Sequence, residues 1–211
     1  VKRILYSLLI FSLPTSVCRA NPGDDSLRPT VEAITKEFEN ENFNEVVAMV
    51  DSLDARDRNT GFLLNLKGAA YTELGDYSKA KESFEDALEA APGMFSAAFN
   101  LGEIMFLQKK FDEALAWFRR MLLNSPKNEL LQFKVFLCQL QLEETEAAEK
   151  SLLAMTYPGE TPAWYYAHAA WEFSNGNRGR ASDYLVGAKS LYPGKTRIFE
   201  ETFSDLELPT R

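Results

Sequence analysis

Between Leu64 and Leu88 the apolar residues form two stripes at helical spacing. Leu64, Tyr71 and Leu74 make the first, and Ala80, Phe84, Ala87 and Leu88 make the second. Gly75-Asp76 lies between them as a turn signal, with Asp76 placed to cap the second helix through its carboxylate. Pro92-Gly93 ends that helix, because proline has no amide proton and clashes with the preceding turn. Glu82, Glu85, Asp86 and Glu89 occupy the other side of the second segment and read as a solvated face. The pattern predicts a helix-turn-helix hairpin over residues 61–94.

The pattern returns in fixed phase. Gly68 recurs as Gly102, Ala80 as Ala114, Phe84 as Phe118 and Pro92 as Pro126, each time at the same step. Met105 takes the place of Tyr71, and Phe111 that of Tyr77. Two helical segments recurring with a period of about 34 residues resemble the tetratricopeptide repeat. The resemblance implies an all-α fold, a helical solenoid of about five helix-turn-helix repeats in a right-handed superhelix. The residue types fit close helix contacts. Gly68 and Ala80 are small where helices meet, Tyr71 and Phe84 fill the surrounding space, and overfilling such a contact costs about 1–3 kcal/mol.

Extending the phase assigns the chain. Phe43, Val46 and Val50 match Tyr77, Ala80 and Phe84, so 27–60 is a diverged first repeat. Repeats at 61–94 and 95–128 follow. In 129–160, Ala148, Leu152 and Met155 keep phase while Phe136 stands in the glycine slot. The stretch "TYPGETP" is expected to shift the phase before a fifth repeat at 161–195. Trp164, Ala167, His168 and Trp171 belong to its first helix, and Ala181, Leu185, Ala188 and Pro193 to its second. His168 is assigned the glycine slot, with an extra residue in "SNGN". Residues 196–211 form a C-terminal capping segment over the last apolar face.

The first twenty residues differ in kind. Val1-Lys2-Arg3 is basic, "ILYSLLIFSL" is apolar, Pro14 interrupts it, and Cys18-Arg19-Ala20 places small residues near a cleavage point. This layout predicts a signal peptide over 1–20 and an exported, periplasmic or extracellular chain, with 21–26 a flexible leader. The run is too short for a comfortable membrane span. A lipid anchor at Cys18 is the lesser alternative, since Val17 and Thr15 stand where that signal wants a small residue and a leucine. Cleavage would remove Lys2, Arg3 and Arg19, taking the formal charge from −8, with 23 basic and 31 acidic residues, to −11. Cys138 would be the one remaining cysteine, leaving no internal disulfide.

The acidic balance argues against nucleic acid as a partner, since such binding runs on phosphate neutralisation. His168 is the only histidine, which removes an ordinary Ser-His-Asp or Cys-His site. The chain also has no Gly-rich phosphate loop ending in Gly-Lys-Ser/Thr, since Lys189 stands where Gly194-Lys195-Thr196 would need the loop's first glycine. We therefore expect no catalytic residues, no metal and no cofactor. Cys138, within "FKVFLCQLQL", reads as a small buried hydrophobe, and His168 as a packed side chain between helices.

In the family that the chain resembles, the first helices line a concave face that commonly takes a peptide. By phase, that face carries Phe62 and Asn65 in the second repeat, Phe99, Asn100, Glu103 and Phe106 in the third, and Phe133, Lys134, Leu137 and Leu140 in the fourth. Some members grip a terminal carboxylate there with basic and amide side chains. Asn65, Asn100 and Lys134 match that clamp, but two of its basic positions are missing. What remains is an apolar floor, either open to a partner or covered by neighbouring helices or the chain's own C-terminal segment. The resemblance implies a non-enzymatic scaffold that binds a peptide or helical segment of another protein, in cell-envelope assembly or secretion, with self-association as a further option. The alternative is a glycan or small-molecule site on an aromatic cluster of Trp164 and Trp171.

Overall fold

A computed structural model describes residues 27–210; the expected signal peptide and leader lie outside the described residues. Those residues contain twelve helices and no strand. They divide into two compact units, one ending at Ile104 and one beginning at Met105.

The N-terminal unit starts with α1 (Arg28–Glu39), which buries Val31, Ile34 and Phe38, and α2 (Phe43–Ser52), which buries Val46 and Val50. The Phe38 and Phe43 rings meet edge-on at 5.2 Å across the turn between them. A single turn, α3 (Ala55–Arg58), is capped by Asp54, whose carboxylate accepts from the amides of Arg56 and Asp57. Next come α4 (Gly61–Glu73), α5 (Tyr77–Ala90) and the start of α6 (Phe95–Leu107). The Asp76 side chain accepts from the Lys79 amide at 3.2 Å and caps α5. Helix α4 packs on α5, α2 and α1.

This packing changes the apolar stripe expected of the first helix. Buried residues surround nearly all of α4: Phe62 to Leu66, Gly68 to Ala70, and Thr72. Leu74 is exposed because it is the residue that closes the helix, past the last packed turn. Helix α5 is simpler, burying Ala80, Ser83, Phe84 and Ala87 while Glu82, Glu85, Asp86 and Glu89 face solvent. Gly68 has a specific duty here. A Cβ at that position would lie 2.6 Å from the Phe84 ring.

The C-terminal unit holds α7 (Phe111–Asn124), α8 (Glu129–Gln141), α9 (Thr145–Ala154), α10 (Ala163–Ser174), α11 (Arg178–Leu191) and α12 (Arg197–Asp205). Helix α8 packs on α7, α9 and α10, and α10 on α11. Like α4, α8 is buried almost all round, from Phe133 through Gln139 and including Cys138. The Glu129 carboxylate pins the loop before α10, accepting from the amides of Glu160 (2.7 Å) and Thr161 (2.8 Å) and from the Thr161 hydroxyl.

A backbone feature marks every hairpin turn. Glu41, Gly75, Lys109 and Glu143 have φ of 62°, 79°, 60° and 58°, and each stands one repeat period after the last. Gly176, with φ 77°, is the fifth of the series and comes one place early. Each closes its helix with the same pair of bonds. At Gly75, its amide reaches the Thr72 carbonyl and the Asp76 amide reaches the Tyr71 carbonyl, satisfying acceptors left over at the helix end.

The fifth hairpin departs from the sequence reading. Helix α10 begins at Ala163, one full period after the Glu129 start of α8, so "TYPGETP" shifts nothing. Its left-handed residue comes early because α10 has 12 residues where α8 has 13. The hairpin has lost a residue, and "SNGN" contains no extra one. Gly68 stands seven before Gly75; the residue seven before Gly176 is Ala169, fully buried. His168 is therefore one place off the small slot. It lies half-buried beside the rings of Trp164 (3.9 Å) and Tyr184 (5.0 Å), with burial lowering its pKa and Glu172 opposing that shift.

Candidate protein-interaction surface

In the N-terminal unit, α4 and α6 bring together two of the predicted residues. The Asn100 side-chain amide donates to the Asn65 side-chain oxygen at 3.0 Å, and each residue is 1% exposed. The pair spends one donor and one acceptor on itself. The Asn65 amide nitrogen and the Asn100 carbonyl oxygen have no hydrogen-bond partner among the protein's own groups. Desolvating a polar group without a partner costs about 1–3 kcal/mol. The pair thus keeps unmet hydrogen-bonding capacity, one amide nitrogen and one carbonyl oxygen, inside the fold. Phe62, Phe99 and Glu103 are also buried, and Phe99 stacks on Phe95 at 6.0 Å.

In the C-terminal unit, the apolar floor takes the covered alternative. Helix α12 lies over it. The Phe199 ring meets Phe133 of α8 and Tyr166 of α10, both at 5.2 Å. The Phe203 ring meets Tyr166 at 5.0 Å and Phe173 at 6.3 Å. Phe133 and Leu137 are fully buried, and Leu140 is half-buried. Lys134, also fully buried, donates to the Thr202 hydroxyl at 2.9 Å and sits 4.5 Å from the Phe106 ring. Its ammonium group therefore faces α12.

Helix α12 starts at Arg197, one period after the Ala163 start of α10, so it stands where a sixth first helix would, in the segment expected as a cap; phase alone does not show that it reaches back to α8. The available signal was Phe199 and Phe203, four apart in "RIFEETF", which gives a nine-residue helix one apolar side.

The aromatic alternative is rearranged. Trp164 gathers Tyr157 (4.4 Å), Tyr165 (5.1 Å), His168 and Tyr184 (5.5 Å), a set without Trp171. Seven residues of helix separate the two tryptophans by about 10 Å along the axis, too far for ring contact. The hydroxyls of Tyr157 and Tyr165 lie 3.1 Å apart, and that hydrogen bond with burial pushes the Tyr165 phenol up to about 12. These rings pack on one another.

The comparisons agree with this geometry. The tetratricopeptide repeat family profile matches residues 65–129. A tetratricopeptide repeat protein from Parabacteroides merdae superposes with a TM-score of 0.66 at 15% identity, covering 92% of this chain and 75% of that one. MamA from Desulfovibrio magneticus superposes with a TM-score of 0.61 at 17% identity, covering 79% and 95%. YrrB, described as a TPR protein with an unusual peptide-binding site, gives 0.52 at 20% identity over 92% and 97%. The profile lies on the best-phased hairpins, and the helical fold shared across most of the chain is the tetratricopeptide-repeat solenoid.

Proposed function

We propose that the chain is a non-enzymatic scaffold that binds a polypeptide segment along the first helices of its N-terminal unit. The observation that carries this is the Asn65–Asn100 pair. One unspent donor and one unspent acceptor, side by side in a desolvated site, match the C=O and N–H of a peptide main chain. The peptide-binding site of YrrB gives the reading a precedent on the same fold. An envelope setting rests on the basic-then-apolar layout of residues 1–20.

The test is selection of a random peptide library on the full chain, followed by binding to Asn65→Leu/Asn100→Leu. Two hydrogen bonds at about 0.5–1.5 kcal/mol each predict a loss of about tenfold or more. The substitution also removes two poorly satisfied buried amides, so the melting temperature should hold or rise. Selected peptides that bind the double variant as tightly as the wild type, or a library yielding no binder, would refute the proposal.

A further inference from the structure

Helix α12 is nine residues long, close to the end of the chain, and does more than shield the last hairpin. A cap continuing the stack would contact α10 and α11. Here α12 also reaches α8, one hairpin further back, through Phe199 on Phe133 and Thr202 on the Lys134 ammonium. It thus lies across the first-helix face that the sequence marks for a partner. It presents an ordered pattern to that face. Phe199 and Phe203, four apart, enter the aromatic floor of Phe133, Tyr166 and Phe173, and Thr202 places a hydroxyl oxygen on a buried cation. Its flanks carry the ion pairs Lys189–Glu200 (3.3 Å) and Arg197–Glu201 (2.8 Å), in which both carboxylates are half-buried. The apolar part of what fixes α12 comes from two rings, Phe199 and Phe203.

We propose that α12 is a displaceable internal ligand, and that the face beneath it docks a helical segment of another protein with the same chemistry. That segment carries two aromatic side chains four residues apart, a hydroxyl one place before the second, and a polar outer side. Helix-in-groove recognition of this kind needs a few anchors on one helical stripe, and α12 shows which anchors fit. The tether keeps α12 ahead of weak competitors, because a short linker gives an effective concentration of about millimolar. This proposal does not rest on the Asn65–Asn100 site and can stand or fall without it.

The probe is a fluorescein-labelled synthetic peptide of residues 195–210, titrated against the full-length wild type and Phe199→Ala/Phe203→Ala. The variant should bind at least tenfold more tightly than the wild type. A peptide with serine at both phenylalanine positions should bind neither protein. A folded variant that does not bind, or equal binding to both proteins, would overturn the proposal. If the variant loses its fold, hydrogen exchange on the wild type decides. Amides of α12 should exchange at least tenfold faster than those of α10 through a separate opening, and exchange only with global unfolding would overturn displacement. A wild-type dimer in sedimentation that Phe199→Ala/Phe203→Ala abolishes would also overturn it, in favour of α12 exchange between copies.

Discussion

Replacing Lys109 and Glu143 by glycine should stabilise the protein. Both have φ near 60°, where a side chain bearing Cβ crowds the backbone at a cost of roughly 1–2 kcal/mol. Both side chains are exposed, so truncation removes no packing. Glycine relieves the strain but adds unfolded-state entropy worth about 0.5–1 kcal/mol. The net gain is about 0.5–1 kcal/mol per site. The two turns share no partner, so their effects should nearly add. For a chain of this size, 1 kcal/mol moves Tm by about 2–4 °C, giving about 2–8 °C for the pair. The converse is Gly75→Ala. A Cβ there meets nothing within 4 Å, so its cost is backbone strain alone, about 1 kcal/mol. The assay is urea unfolding of the full chain followed by far-UV circular dichroism, comparing midpoints at unchanged slope. A double glycine variant less stable than wild type, or an alanine at 75 without cost, would show that these turns do not carry the strain their φ values imply.

Two further outcomes follow from the packing. Gly68→Ala gains about 1 kcal/mol of helix propensity but drives a Cβ into the Phe84 ring, and overpacking of about 1–3 kcal/mol should dominate; a double-mutant cycle with Phe84→Leu should recover part of the loss, and strict additivity would disprove the contact. Burial raises the Glu201 carboxyl to about 7, with Asp205 adding to the shift and Arg197 and Lys134 opposing it. Ionising a carboxyl whose folded pKa lies above its unfolded value destabilises the folded state, so this contribution is intact below about 4.5 and is lost as pH rises through about 7. The stability difference between wild type and Glu201→Gln, measured from about pH 4.5 to 8, should therefore shift in favour of the glutamine variant, and a pH-independent difference would contradict the assignment.

The sequence by itself determined the hairpins. Gly68 opposite Phe84, the Asp76 cap and the regular step of small and aromatic residues are local requirements, because each depends on neighbours within one or two helical turns or across one short turn. It also placed Asn65 and Asn100 on successive first helices, one period plus one residue apart, and that spacing brings them into contact. Only the tertiary structure decided what the apolar floor faces. Whether Phe133 and Lys134 meet a partner or the chain itself depends on where α12 lands, and α12 reaches past its neighbour α10 to α8. Likewise, the lost residue in α10 changes which side chain fills the small slot, because helical phase accumulates along the chain while packing is set at each contact. Periodicity reports local geometry; the closure of one face by a helix from two hairpins further on costs chain entropy and yields burial that the repeating pattern does not record.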